Sequence, residues 1–147
     1  GPQIFEIDNN EENNPLQVAL KTKNIQIIAS QAGLFLEIIC NKLSMNLNTS
    51  IQRKFEDKYT IGDLWPGIKK HFKKTELNIL TDEIDKLLHI RNLLGAHYNE
   101  WSISLSNYEV NSFAENILLF YHKVFCEKCQ SWLNRNNNCN CKNLIIE

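Results

Sequence analysis

The sequence predicts an all-α fold: an antiparallel four-helix bundle followed by a small C-terminal cysteine ribbon. Three observations predict it. Apolar residues recur at three- and four-residue spacing over most of the chain, residues suited to cap helices stand before those stretches, and two cysteine pairs crowd into the last 22 residues. Within 147 residues there is room for one well-buried core and a small appendage, and no room for two large domains. The expected organisation is a tag scar and acidic tail over 1–13, a helical bundle over 14–125 and a four-cysteine ribbon over 126–147.

Gly1-Pro2 reads as the scar of tag removal, so the natural segment is expected to begin at Gln3. Residues 6–14 are polar and acidic with no period, as in a tail. Asn14-Pro15 then makes a helix entrance: the Asn side chain accepts from a free backbone N–H, and Pro at the first helical position loses no hydrogen bond. The apolar series Leu20, Ile27, Ile28, Leu34, Phe35, Ile38, Ile39 and Leu43 predicts one long helix over about 15–46, with Gly33 loosening its middle.

After the polar Asn48-Thr49-Ser50 connection, Gly62-Asp63-Leu64-Trp65 opens a shorter helix with Leu64, Ile68 and Phe72 inward. Its other side carries Lys69, Lys70, Lys73 and Lys74. Such a ridge either follows a phosphate backbone or is the solvated face of an amphipathic helix. A third helix, capped by Thr75 or Thr81, places Ile84, Leu87, Leu88, Arg91 and Leu94 on one stripe. Ser106-Asn107-Tyr108-Glu109 fits a capping box for a fourth, whose apolar face runs from Phe113 through Ile117, Phe120, Tyr121 and Val124 to about 125. No segment shows a convincing strand pattern.

Sixteen Lys plus Arg against seventeen Asp plus Glu leave no global basic field, so any contact with nucleic acid must use local patches. No apolar run was found long enough for a membrane span and no segment resembles a signal peptide, so a cytoplasmic protein with no membrane partner is expected. The abundance of Asn, Lys and Ile reads as the mark of an AT-rich genome.

Cys126-x2-Cys129 and Cys139-x-Cys141 have metal-site spacing. Zinc takes four soft ligands in a tetrahedron, and one Cys-x2-Cys turn presents two sulfurs about 2.3 Å from one ion. Disulfides are the competing reading, disfavoured where thiols stay reduced. Four protein ligands close the site, so the expected zinc is structural and no catalytic metal is expected. Metal is also expected to order Ser131–Asn140, a stretch too polar to build a core. Cys40, among apolar neighbours, reads as a small buried hydrophobe.

The run from Arg91 to Asn99 carries the chemistry. An arginine fork binds phosphate bidentately, and a histidine moves protons near neutral pH. Together they suffice for metal-independent RNA cleavage, in which a ribose 2′-OH attacks the adjacent phosphodiester. On a straight helix six residues rotate by about 240° and rise about 9 Å, which separates Arg91 from His97. Gly95 offers a place for the helix to end and for His97 to fold back. The structural alternative pairs Arg91 with Asp85 or Glu83 and leaves His97 as a helix-end histidine. Tyr98 and Trp101, beside His97, either pack or stack an unpaired base.

Arg91-Asn92-x4-His97, followed by Tyr98-Asn99, a further helix and the cysteine pairs, resembles helical HEPN domains over about 15–141. It looks in particular like the C-terminal segments attached to ATPases in bacterial phage-defence and toxin systems. The resemblance implies a ribonuclease cutting RNA, tRNA among the candidates, as a homodimer with an ATPase upstream in the same protein. It implies catalytic roles for Arg91, Asn92 and His97. The expected substrate contacts are Tyr98, Trp101, Lys69, Lys70 and Lys73, and the metal ligands Cys126, Cys129, Cys139 and Cys141. The rival expectation is a non-catalytic interaction module whose ribbon docks a protein or nucleic acid.

Overall fold

The computed structural model describes residues 14–51, 59–93, 106–142 and 146, with only the helical backbone over 89–93. Among these the protein is mostly helical. The order is α1 (Pro15–Thr22), α2 (Ile25–Leu47), α3 (Ile61–His71), α4 (Asn78–Leu93) and α5 (Asn107–Val124), then a two-stranded antiparallel hairpin of β1 (Phe125–Cys126) and β2 (Ser131–Trp132).

The single helix expected over 15–46 is two. Asn14 caps α1 as anticipated, its side chain accepting from the Leu16 N–H at 2.8 Å. The break falls at Lys23, which turns left-handed with φ 57°. The Thr22 hydroxyl donates to the Ala19 carbonyl at 2.6 Å, and Asn24 restarts the helix by accepting from the Gln26 and Ile27 N–H groups at 3.0 and 3.1 Å. Side chains thus satisfy the helix ends on both sides of the break. Gly33 is buried within an uninterrupted α2.

Ile28, Ala32, Leu36, Ile39, Leu43 and Leu47 form the buried face of α2. Ile27, Leu34 and Ile38, expected on that face, are 43, 42 and 51% exposed, and with Met45 they form an outward apolar stripe at spacings of seven, four and seven. Contrary to expectation, α2 is long and apolar enough by length and composition to cross a membrane. Over half of that window, 56%, is buried in the fold, as in the core helix of a globular domain.

Thr60 caps α3, its N–H and hydroxyl both donating to the buried Asp63 carboxylate at 2.9 and 3.1 Å. Leu64, Ile68 and Phe72 face inward as expected. α3 ends at His71, so Lys73 and Lys74 stand in the following turn and not on the helix. α4 starts at Asn78; Thr75 organises the preceding turn, and Thr81 is a buried interior residue whose hydroxyl donates to the Asn78 carbonyl.

α5 begins with the expected capping box: the Glu109 N–H donates to the Ser106 hydroxyl at 3.1 Å and the Ser106 N–H to the Glu109 carboxylate at 3.0 Å. It packs against α1, α2 and α4. Phe120, fully buried on α5, meets the Trp65 and Phe72 rings in T-shaped contacts with centroids 5.9 and 5.7 Å away, which packs the end of α3 onto α5.

Candidate functional site

Between α3 and the start of α4 lies an open cleft of about 840 Å³. Trp65, only 3% exposed, forms part of its wall, and its indole N–H donates to Asp85 Oδ1 at 3.0 Å. The other oxygen of Asp85 accepts from Lys69 Nζ at 2.9 Å, and Asp82 stands 3.5 Å from the same ammonium. The Asp85 hydrogen bond holds the Lys69 ammonium above its ordinary range against a smaller opposing effect of burial. Lys69, expected to contact substrate, is thus already matched by two carboxylates.

Lys70, Lys73 and Lys74 line the same cleft, and none forms an ion pair with a described residue. Four lysines therefore face two aspartates, leaving the cleft cationic although the chain as a whole is not. A cationic groove with an aromatic wall can hold a phosphate-bearing chain.

Arg91 and Asn92 occupy the last described turn of α4. His97, Tyr98 and Trp101 lie outside the described residues, as does Gly95. The two acids available to neutralise Arg91 in the structural alternative have other cations or donors: Asp85 holds Trp65 and Lys69, and Glu83 accepts from Lys86 at 3.0 Å.

The cysteine module begins directly from α5. Cys126 sits on β1, Cys129 in the hairpin turn, and Cys139 and Cys141 on a loop that folds back over it. All four Sγ atoms lie within 4.8 Å of one another, with Cys126–Cys141 at 3.7 Å and Cys139–Cys141 at 3.3 Å. A tetrahedron with bonds of about 2.3 Å has edges of about 3.8 Å, so the sulfurs fit one four-coordinate ion such as zinc. They are thiols at non-bonded distances, which corrects the disulfide alternative. The Ser131 hydroxyl, 3.0 Å from Cys129 Sγ, holds that thiol below its ordinary range, with help from the Cys141 N–H. Cys40, fully buried on α2, has its thiol pushed well above the ordinary range by desolvation, which suits a packing residue.

The module is not ordered by ligation alone, as its polarity suggested. Leu133 is fully buried, and its N–H donates to the Val124 carbonyl at 2.9 Å. Asn134 organises the polar loop: its carbonyl and side chain accept from the N–H groups of Asn137, Asn136 and Asn138, and its Nδ2 donates to Asn138 Oδ1 at 2.7 Å. His71 Nε2 meets Asn137 Oδ1 at 2.8 Å, and Trp132 packs on Tyr121 and Phe125. The sequence alone hides the His71 to Asn137 pair, because its partners stand 66 positions apart. No protein family, curated protein or solved structure matches the chain.

Proposed function

We propose that the chain is a metal-independent endoribonuclease domain of the HEPN type, with Arg91, Asn92 and His97 as its catalytic group. One observation carries the reading: Lys69, Lys70, Lys73 and Lys74 gather against two aspartates in the cleft between α3 and α4, the helix that bears Arg91 and Asn92. The sequence puts Arg91 on the inward stripe, where a guanidinium calls for an anion, because burying one alone costs several kcal/mol. The cationic cleft beside α4 supports a phosphate-bearing ligand.

In the proposed reaction Arg91 binds the scissile phosphate and Asn92 orients one of the pair. His97 takes the proton of the ribose 2′-OH as the 2′-oxygen bonds to phosphorus. The bond from phosphorus to the 5′-oxygen breaks, and that oxygen takes the proton from the protonated His97 to leave as a hydroxyl. The products are a 2′,3′-cyclic phosphate and a 5′-hydroxyl end. Lys70 and Lys73 track the RNA backbone, and Tyr98 and Trp101 stack an unpaired base. The four cysteines hold a structural zinc. The domain acts as a homodimer, to which the exposed Ile27, Leu34, Ile38 and Met45 stripe is suited, and serves as effector of an anti-phage or toxin protein with an upstream ATPase.

The test is incubation of the zinc-loaded protein with tRNA or total RNA, no divalent cation added. Cleavage with cyclic-phosphate ends, abolished in both Arg91→Ala and His97→Ala, is the expected result. Equal cleavage in the variants, or none by the wild type together with no growth arrest on induced expression in cells, overturns it and leaves a non-catalytic interaction module.

A further inference from the structure

A second cavity, of about 460 Å³, opens where the end of α2, α3 and the cysteine module meet. Thr49, Ser50, Gly67, Lys70, His71 and Arg135 line it, and among the described residues no carboxylate does. It depends on a close approach that only glycine permits: a Cβ on residue 67 would lie 2.3 Å from the Ser50 carbonyl oxygen. The Thr49–Ser50 segment can therefore lie directly on α3.

Cations and hydroxyls dominate the polar groups gathered there. The Thr49 hydroxyl oxygen is buried without a hydrogen-bond partner among the described residues, which calls for explanation. Lys70 and Arg135 form no ion pair with a described residue. Arg135 is exposed on the loop that Asn134 organises, and the His71 to Asn137 hydrogen bond fixes that loop against α3. The opposing influence is the C-terminus of α2, worth about half a negative charge. Two of the N–H groups beyond it, those of Asn48 and Thr49, already return to the Ser44 carbonyl. Two full cations outweigh the remainder.

We infer that this seam is a phosphate-binding subsite, with Lys70 from the bundle and Arg135 from the cysteine module holding one phosphate group and Thr49 and Ser50 supplying hydroxyl donors. It needs neither Arg91 nor His97, and although it shares Lys70 with the RNA-tracking lysines, Arg135 belongs to this seam alone and separates the two readings. The phosphate comes either free or as part of an RNA backbone, and both present the same oxyanion.

The test is an NMR titration of the whole zinc-loaded chain with inorganic phosphate and, separately, with a short single-stranded RNA, at constant ionic strength with chloride as control. The RNA arm uses the His97→Ala background so that the ligand is not consumed. Saturable shifts of the Ser50, His71 and Arg135 signals are expected. Arg135→Ala and Lys70→Ala should each weaken binding about tenfold or more, as loss of a charged hydrogen bond does. Tighter binding of RNA than of inorganic phosphate at these residues identifies a backbone site, and equal binding a free-phosphate site. Shifts no larger than those with chloride, or wild-type affinity in both variants with the fold intact by circular dichroism, overturn the inference.

Discussion

His71 Nε2 and Asn137 Oδ1 lie 2.8 Å apart and join α3 to the cysteine module across 66 positions of sequence. Asn137 also adopts φ 62°, a left-handed conformation that Asn and Gly tolerate better than other residues. Asn137→Gly keeps that backbone freedom and deletes the amide, so it should cost about 1 kcal/mol, the worth of one hydrogen bond. Asn137→Ala adds backbone strain of about 1 kcal/mol or more. Urea unfolding of the two variants checks the order; equal losses would show that the backbone and not the bond matters.

The cysteine cluster predicts one zinc per chain by elemental analysis. Chelation should disorder β1, β2 and the loop carrying Cys139 and Cys141 while most helical circular dichroism remains, since no ligand lies in the helices. Because thiolates are the ligands, affinity should fall as pH falls. Cys40→Ser should leave the zinc content unchanged, as Cys40 is buried on α2 outside the cluster.

Asp85 serves two donors, and the two contacts differ in worth. Asp85→Ala leaves the buried Trp65 N–H without its acceptor, a loss of about 1–3 kcal/mol. Lys69→Ala removes a partly exposed ion pair and should cost under about 1 kcal/mol. The Lys69 value is raised above 10.5, so its contribution is full below that pH and is lost only as pH climbs through the raised value. Denaturation midpoints of wild type and Lys69→Ala should therefore stay parallel from pH 6 to about 9 and converge only in strong alkali.

Gly67→Ala places a Cβ 2.3 Å from the Ser50 carbonyl oxygen, a backbone atom that no rotamer change can move aside. A loss of about 1–3 kcal/mol is expected. Gly62→Ala, where the nearest atom to a new Cβ is the Thr60 hydroxyl at 3.7 Å, makes a suitable control and should be far milder. Thermal melts of the pair decide the point.

If the cleft between α3 and α4 carries RNA, replacing Lys70, Lys73 and Lys74 together by Ala should lower the slope of log affinity against log salt by about 2, given about 0.7 per phosphate contact on a single strand. Fluorescence anisotropy at four salt concentrations measures it. An unchanged slope would assign these lysines to solvent alone.

Legibility in the sequence followed the range of the interaction. The capping box of Ser106 and Glu109, the Asn14-Pro15 entrance and the inward Leu64, Ile68 and Phe72 depend on spacing within a few residues, and the four cysteines declare their cluster by residue type and pair spacing, so local pattern determined them. The break at Lys23 is also local, but the apolar period continues through it and concealed the caps at Thr22 and Asn24. Periodicity placed the core on α2 too broadly, because spacing cannot say which side of a wide apolar face a neighbour will cover.

What only the tertiary structure decided is which side chains meet across elements. Lys69 is matched by Asp85 and Asp82 from another helix, Asn137 reaches His71, and Gly67 admits Ser50. By the same logic the Arg91 to Asn99 run declares the residue types for phosphate chemistry. The fold contributed what the motif could not: a cationic cleft stands beside α4, with Asp85 holding both Trp65 and Lys69 in it. Local preferences follow from backbone and near-neighbour energetics that the sequence states directly. Pairings between distant residues follow from how the core closes, which no short window of sequence records.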